Sequence, residues 1–203
     1  MLPYLAAVLI GYLFGCSNMA FYLSRLRGVD IRAHGTGNLG ASNTMMLLGW
    51  RAGILTGLHD IAKGVLAVWL VRWLFPDAAY IGFAAGAAAV LGHIFPFYLR
   101  FKGGKGFATY FGMILPLSWK FALFVVVAGV LLTLITDYIV VATMTTVISF
   151  PVFAAFVFGW TAMLIVLIAS GAVILRHREN FQRLRAGTEV GFRHANSGRD
   201  RLK

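Results

Sequence analysis

Seven apolar runs take up almost the whole of this 203-residue chain, and they decide what it can fold into. They lie near 3–24, 52–75, 78–99, 107–118, 120–136, 138–158 and 160–175. A helix that crosses a bilayer needs about 20 predominantly apolar residues, so each run is read as a span, the fourth being short, re-entrant or broken. Composition agrees, because 60% of residues are hydrophobic and 12% charged, against about 25% charged in soluble domains. The expectation is all-α: a polytopic integral membrane helix bundle of about seven transmembrane helices. Residues 1–190 leave no room for a separate soluble domain and form one membrane-embedded unit, followed by a basic tail at 191–203.

Charge orients this bundle. Eighteen Lys and Arg against seven Asp and Glu give a net charge of +11, a balance that could suit nucleic acid. Its distribution suits a membrane instead. Arg25, Arg27, Arg32 and Arg51 fall between the first two runs; Arg100, Lys102 and Lys105 between the third and fourth; Arg176, Arg178, Arg183 and Arg185 after the last. A count of seven spans puts these regions on one side, and the other side has little beyond Arg72 and Lys120. The positive-inside rule makes the shared side cytoplasmic, with the N-terminus outside, the C-terminus cytoplasmic and most charges serving topology or lipid headgroups. No nucleic-acid partner is expected. Cys16 follows Leu13, Phe14 and Gly15 in a faint lipoprotein-like pattern, but no Lys or Arg precedes it to form a signal-peptide n-region. It reads as a small apolar residue of the first span, and a lone cysteine excludes an intramolecular disulfide.

Three polar, glycine-rich clusters meet the cytoplasmic side: "HGTGNLGASN" at 34–43, "GHIFPFYLRFKGGKGFAT" at 92–109 and "RHRENFQRLRAGTE" at 176–189. The second is not a P-loop, which would need Gly at 99 and a hydroxyl residue at 106 where the chain has Leu99 and Gly106. The first contains a literal G-x-G-x-x-G at 35–40, but no apolar strand precedes it and Asp60 lies inside a span, so a dinucleotide fold cannot be built here. Glycine-rich backbone can approach a ligand closely and turn its N–H groups onto an anion. Two such loops with polar and basic partners suggest two phosphate positions, and on these features alone a tight turn at the membrane surface is an equal reading.

In their order and spacing, "GTGNLGASN", "LGHIFPFYLRFKGGKGFAT" and "RHRENFQRLRAGTE", with "LHDIAKG" at 58–64, make the chain resemble the bacterial acyl-phosphate-dependent glycerol-3-phosphate acyltransferases, the PlsY family, over about residues 5–190. The resemblance implies a multi-pass enzyme of the bacterial inner membrane. Such enzymes transfer a fatty acyl group from acyl phosphate to the 1-hydroxyl of glycerol 3-phosphate, giving lysophosphatidic acid, with no cofactor and membrane lipids as surroundings. Carried onto this chain, it implies catalytic roles for Thr36, Lys105 and His177. The implied substrate-binding residues are Gly35, Gly37, Asn38, Asn43, Gly103, Gly104, Gly106, Thr143 and Asn180, and Glu189 matches the Gly-Thr-Glu segment. Without the resemblance, His177 reads as one more interfacial basic residue.

The chain also departs from the family. Met46 stands where an arginine is expected, Asp137 where a basic residue is expected, and Cys16-Ser17-Asn18 where Ser-Ile-Pro is expected. Losing an arginine contact of about 1.5–3 kcal/mol should weaken anion binding unless Arg32 or Arg51 substitutes. Acyl phosphate is already activated, so positioning and charge stabilisation suffice and no nucleophile is required. Nothing ties Cys16 to a base. No histidine is followed five residues later by aspartate, and the scattered histidines suggest no metal site. Two other classes stay open: a diverged lipid- or phosphate-binding paralogue, favoured by Met46 and Asp137, and a small anion transporter, suggested by Asn18, Asp60 and Lys63 within spans. Asp60 and Lys63 can instead simply pair along one helix face.

Overall fold

The computed structural model describes residues 1–195, so most of the expected tail at 191–203 lies outside the described residues. Every regular element described is helical. The first apolar run folds as two helices, α1 (Leu2–Cys16) and α2 (Met19–Leu26), because Asn18 interrupts it. The Asn18 side-chain oxygen accepts a hydrogen bond from Phe21 N at 2.9 Å and so caps α2. After a polar loop come α3 (Ala41–Leu48) and α4 (Trp50–Leu74). Next is α5 (Ile81–Ile94), which stops just before Pro96 and passes into a 3-10 turn, Phe97–Leu99. Then follow α6 (Phe107–Leu117), α7 (Trp119–Thr136), α8 (Ile139–Phe158), α9 (Trp160–Arg176), α10 (Arg178–Arg185) and α11 (Phe192–Ala195).

Five segments are long and apolar enough to cross a bilayer: Leu2–Leu26, α4, Ile81–Leu99, α7 and α8. A sixth is the pair α9 and α10, bent by 47°. Helix α6 has 11 residues, about 16 Å of helix against roughly 30 Å of hydrocarbon. The expected count of about seven thus becomes five or six by length, with α6 short. Even so, α6 runs alongside the whole of α5, from Gly106 against Ile94 to Leu117 against Gly82.

The core is built around α5, which is buried along nearly its full length. Gly11 and Gly15 of α1 lie directly on the backbone of Ala85 and Ala89 of α5, an approach that no side chain on α1 would permit. Small residues at such contacts gain van der Waals packing, the term that holds helices together where lipid removes the hydrophobic drive. On the other flank Phe121 of α7 stacks on Phe153 of α8 with centroids 4.4 Å apart.

Contacts sort the loops into two ends. Tyr4 donates to Ala79 O, and Arg72 donates to Pro116 O at 2.9 Å, gathering the N-terminus and the turns after α4 and α6 at one end. At the other, Asn18 Nδ2 donates to Leu39 O at 3.4 Å, Arg176 Nη2 to Gly103 O at 3.3 Å and Phe192 N to Asp137 O at 2.7 Å. All three glycine-rich clusters are therefore at this second end.

Candidate active site

The "FKGGKG" loop opens with two consecutive left-handed residues, Arg100 (φ 53) and Phe101 (φ 59). This uncommon backbone for non-glycine residues reverses the chain at the end of α5. Gly103 N then donates to Ile94 O at 3.0 Å and Gly104 N to His93 O at 3.2 Å, satisfying carbonyls that a helix end leaves open. Both amides are spent within the chain, so the expectation that they converge on an anion does not hold for these two. Their glycines are needed for close approach. A Cβ on Gly103 would strike the His93 carbonyl, and one on Gly104 would strike the His93 ring and the Leu39 carbonyl. Gly106, at φ 91, is the N-cap of α6, whose positive end therefore faces this region.

Lys105 joins this loop to the last cluster. Its Nζ donates to Asn180 Oδ1 at 2.5 Å, Asn180 Nδ2 donates to Glu189 Oε1, and Arg183 Nε donates to Glu189 Oε2 at 2.7 Å. Burial, reinforced by Arg183 and Arg176 and opposed by Glu189 and Glu179, lowers the Lys105 pKa from its ordinary value. His177 sits buried at the bend between α9 and α10. Its Nδ1 lies 2.8 Å from Val173 O. A carbonyl only accepts, so Nδ1 carries the proton and Nε2 presents a lone pair. Burial, with Lys105 and Arg176 adding to it against the Val173 hydrogen bond and Glu189, pulls the imidazole down to about 4 and keeps it neutral.

The first loop is braced rather than open. Asn43 is fully buried; its Oδ1 accepts from Thr36 N at 2.9 Å, and its Nδ2 donates to Ile31 O at 3.0 Å and His34 O at 3.3 Å. With both ends of its amide engaged, Asn43 holds the loop's shape. Gly35 (φ 57) and Gly37 (φ 66) supply the left-handed turns, and Thr36 is exposed between them. Asn38 Oδ1 is buried without a partner among the described residues, an acceptor suited to a donor hydroxyl. Leu39 O lies over Gly104, so the two loops touch. Thr143, on α8, donates to Ile139 O at 3.2 Å, and none of its described hydrogen bonds joins it to the three clusters.

Similarity to known proteins settles the family. A family model described as glycerol-3-phosphate acyltransferase matches residues 5–187. The chain belongs to the glycerol-3-phosphate acyltransferase family. The chain is 35% identical over 189 residues to glycerol-3-phosphate acyltransferase 1 of Oceanobacillus iheyensis, covering 89% of this chain and 91% of the relative. It is 38% identical over 189 residues to the glycerol-3-phosphate acyltransferase of Coxiella burnetii strain CbuG_Q212, covering 93% and 97%. Its fold matches the crystal structure of PlsY (YgiH), an integral membrane glycerol 3-phosphate acyltransferase, in the glycerol 3-phosphate form. That match has a TM-score of 0.85 and 34% identity over 93% of this chain and 95% of that one. The lysophosphatidic acid form of the same protein matches with a TM-score of 0.83 and 33% identity over 95% and 97%.

The structure of this acyltransferase also places its departures. Met46 is partly buried with its sulfur beside Gly35. Neither suggested substitute is free. Arg32 donates to Asp30 through Nε at 2.9 Å and Nη2 at 2.8 Å, and Arg51 lies over the Trp50 ring, 5.4 Å from its centroid. The cations beside Lys105 are Arg176 and Arg183, which the sequence alone reads as topological. The i, i+4, i+7 spacing of Arg176, Asn180 and Arg183 was the available signal. Asp137 serves the fold. In a left-handed turn (φ 66), its Oδ1 accepts from Arg193 N at 3.0 Å and holds the chain after Glu189 against the α7–α8 turn. Asp60 and Lys63 do pair, at 3.0 Å.

Proposed function

We propose that this membrane acyltransferase moves a fatty acyl group from acyl phosphate to the 1-hydroxyl of glycerol 3-phosphate. The products are lysophosphatidic acid and phosphate, for phospholipid synthesis in a bacterial inner membrane. One observation carries the site assignment: Lys105 of the glycine loop and Asn180 of the last cluster meet at 2.5 Å, with Arg176 and Arg183 adjacent. Both substrates are phosphates, and charged donors at about 2.7–2.9 Å are what a partly desolvated dianion needs. A site at one end of an apolar bundle also suits one lipid-chain substrate and one water-soluble substrate.

In this reading Lys105 and Asn180 bind phosphate, and Glu189 holds Asn180 and Arg183 in place. The neutral His177 turns its Nε2 lone pair to a substrate hydroxyl or acidic phosphate, and Thr36 and Asn38 approach the acceptor from the first loop. Gly35, Gly37, Gly103, Gly104 and Gly106 let backbone and ligand come close, Asn43 keeps the first loop in shape, and Thr143 completes the wall from α8. Acyl transfer breaks the acyl carbon–phosphate oxygen bond and forms an ester to the acceptor oxygen. The hydroxyl proton leaves with a substrate phosphate oxygen, so no protein nucleophile takes part. A binding-only paralogue is the second reading, favoured by Met46.

The test uses purified protein, labelled glycerol 3-phosphate and palmitoyl phosphate. The parent should form lysophosphatidic acid, and palmitoyl-CoA should be a poor donor, because a site built around the leaving phosphate leaves polar groups unpaired without it. Lys105→Ala should lower the rate by about 100-fold or more while the exposed Lys102→Ala stays near the parent. Binding of glycerol 3-phosphate without turnover would favour the paralogue, and a fully active Lys105→Ala enzyme would remove Lys105 from the site.

A further inference from the structure

Beneath the two glycine loops lies a buried charged cluster that the acyl-transfer chemistry does not use. Asp60 and Lys63 on α4 and His93 on α5 are 1%, 3% and 3% exposed. Lys63 Nζ stands 3.0 Å from Asp60 Oδ1, donates to Ser17 O at 2.7 Å and lies 2.7 Å from His93 Nδ1. An ammonium has three protons and no lone pair. All three are engaged, so Lys63 keeps no donor for a ligand, although a recess of about 440 Å³ between α1 and α4 touches it. By the same chemistry His93 Nδ1 is an acceptor. The ring proton is then on Nε2, which faces Gly104.

The three bonds join the supports of both loops. Ser17 caps α1, and its neighbour Asn18 holds Leu39 O of the first loop at 3.4 Å. His93 and Ile94, at the end of α5, hold Gly104 and Gly103 of the second. Burying charge costs several kcal/mol per ion even when paired, and an apolar residue would often fill the same space at lower cost. The geometry points to Lys63 as a positioning residue for acyl transfer, fixing the break of α1 against the end of α5 so that the two glycine loops keep one spacing. The kinetic consequence rests on the proposed activity; the spacing itself does not.

Lys63→Met alone would strand a buried carboxylate, so the informative variant is Lys63→Met/Asp60→Leu, which removes both charges. Spin labels on cysteines replacing Ser42 and Lys102, both exposed, in a Cys16→Ser background report the distance between the loops. The parent should give one narrow distance distribution, and the double variant a broadened or shifted one. In acyl transfer kcat should drop by about 100-fold, the cost of a misplacement near 1 Å, while the thermal transition persists. His93→Asn keeps an acceptor where Nδ1 stood and should retain the parental spacing and most of the rate; His93→Leu should lose both. Unchanged distances in Lys63→Met/Asp60→Leu and in His93→Leu would overturn the inference whatever the activity. A parent that shows the spacing effect yet makes no lysophosphatidic acid would refute the proposed function alone.

Discussion

His177 is held in one tautomer by a single carbonyl, and its burial among cations has a measurable consequence beyond catalysis. Its folded pKa of about 4 lies below the ordinary 6.5, so the unfolded chain takes up this proton first as pH falls. Stability from this group is fully present above about pH 6.5 and is lost as pH falls toward 4, since stability rises with pH wherever the unfolded state binds more protons. The thermal transition of detergent-solubilised protein should therefore fall over this window, and less steeply in His177→Gln; equal slopes would remove His177 as the cause. Residues of this kind are only partly legible in the sequence. Lys105, His177 and Asn180 stand out through a motif resemblance, and the structure brings Lys105 and Asn180 into contact. Arg176 and Arg183 stay hidden because arginines after a last span are what membrane topology asks for anyway. Only the bend at His177 decides which of them turn back toward Lys105. Asn43 and the glycines can be placed in their loops, but no sequence rule says whether a polar atom in such a loop serves a ligand or the loop itself.

Helices here are fixed by backbone contact as much as by hydrophobicity, and glycines test this directly. A leucine at Gly15 of α1 would collide with the backbone of α5 at Ala89, and neither helix can yield without disturbing its own hydrogen bonds. Overpacking of this kind costs about 1–3 kcal/mol or more, so Gly15→Leu should lower the thermal transition clearly and reduce extraction yield. Gly171 of α9 is the control: a Cβ there meets nothing, and its backbone is helical. Gly171→Ala should be neutral or stabilising by up to about 1 kcal/mol, from helix propensity alone. A Gly15→Leu protein as stable as the parent would mean that α1 does not rest on α5 as described. Element existence is readable from the apolar runs, and so is the shortness of α6. The break between α1 and α2 is not, because Ser17 and Asn18 sit inside a run that hydropathy reads as continuous. It takes the capping hydrogen bond of Asn18 to Phe21 N to show where one helix stops and the next begins.

The whole molecule has two unlike ends, and the sign of their charge decides its orientation in the membrane. Arg25, Arg27, Lys102, Lys105, Arg176 and Arg183 accompany the three clusters, while Arg72, Asp77 and Lys120 belong to the turns at the opposite end. Positive-inside orientation then places the site in the cytoplasm, where glycerol 3-phosphate is dissolved, and turns the N-terminus outward. The same residues thus serve topology and chemistry, because a site for anionic substrates needs the cations that retain a loop in the cytoplasm. Cysteine labelling separates this orientation from its inverse. Gly103 is buried against His93 and unsuited to a reporter, so the exposed Lys102 and Asp77 are chosen, in a Cys16→Ser background. In intact cells a membrane-impermeant maleimide should label Asp77→Cys and leave Lys102→Cys untouched; in inverted vesicles the pattern should reverse. Labelling of Lys102→Cys from outside would invert the bundle and put the phosphate-binding end on the wrong side for a cytoplasmic acceptor, which would defeat the proposed reaction together with the topology.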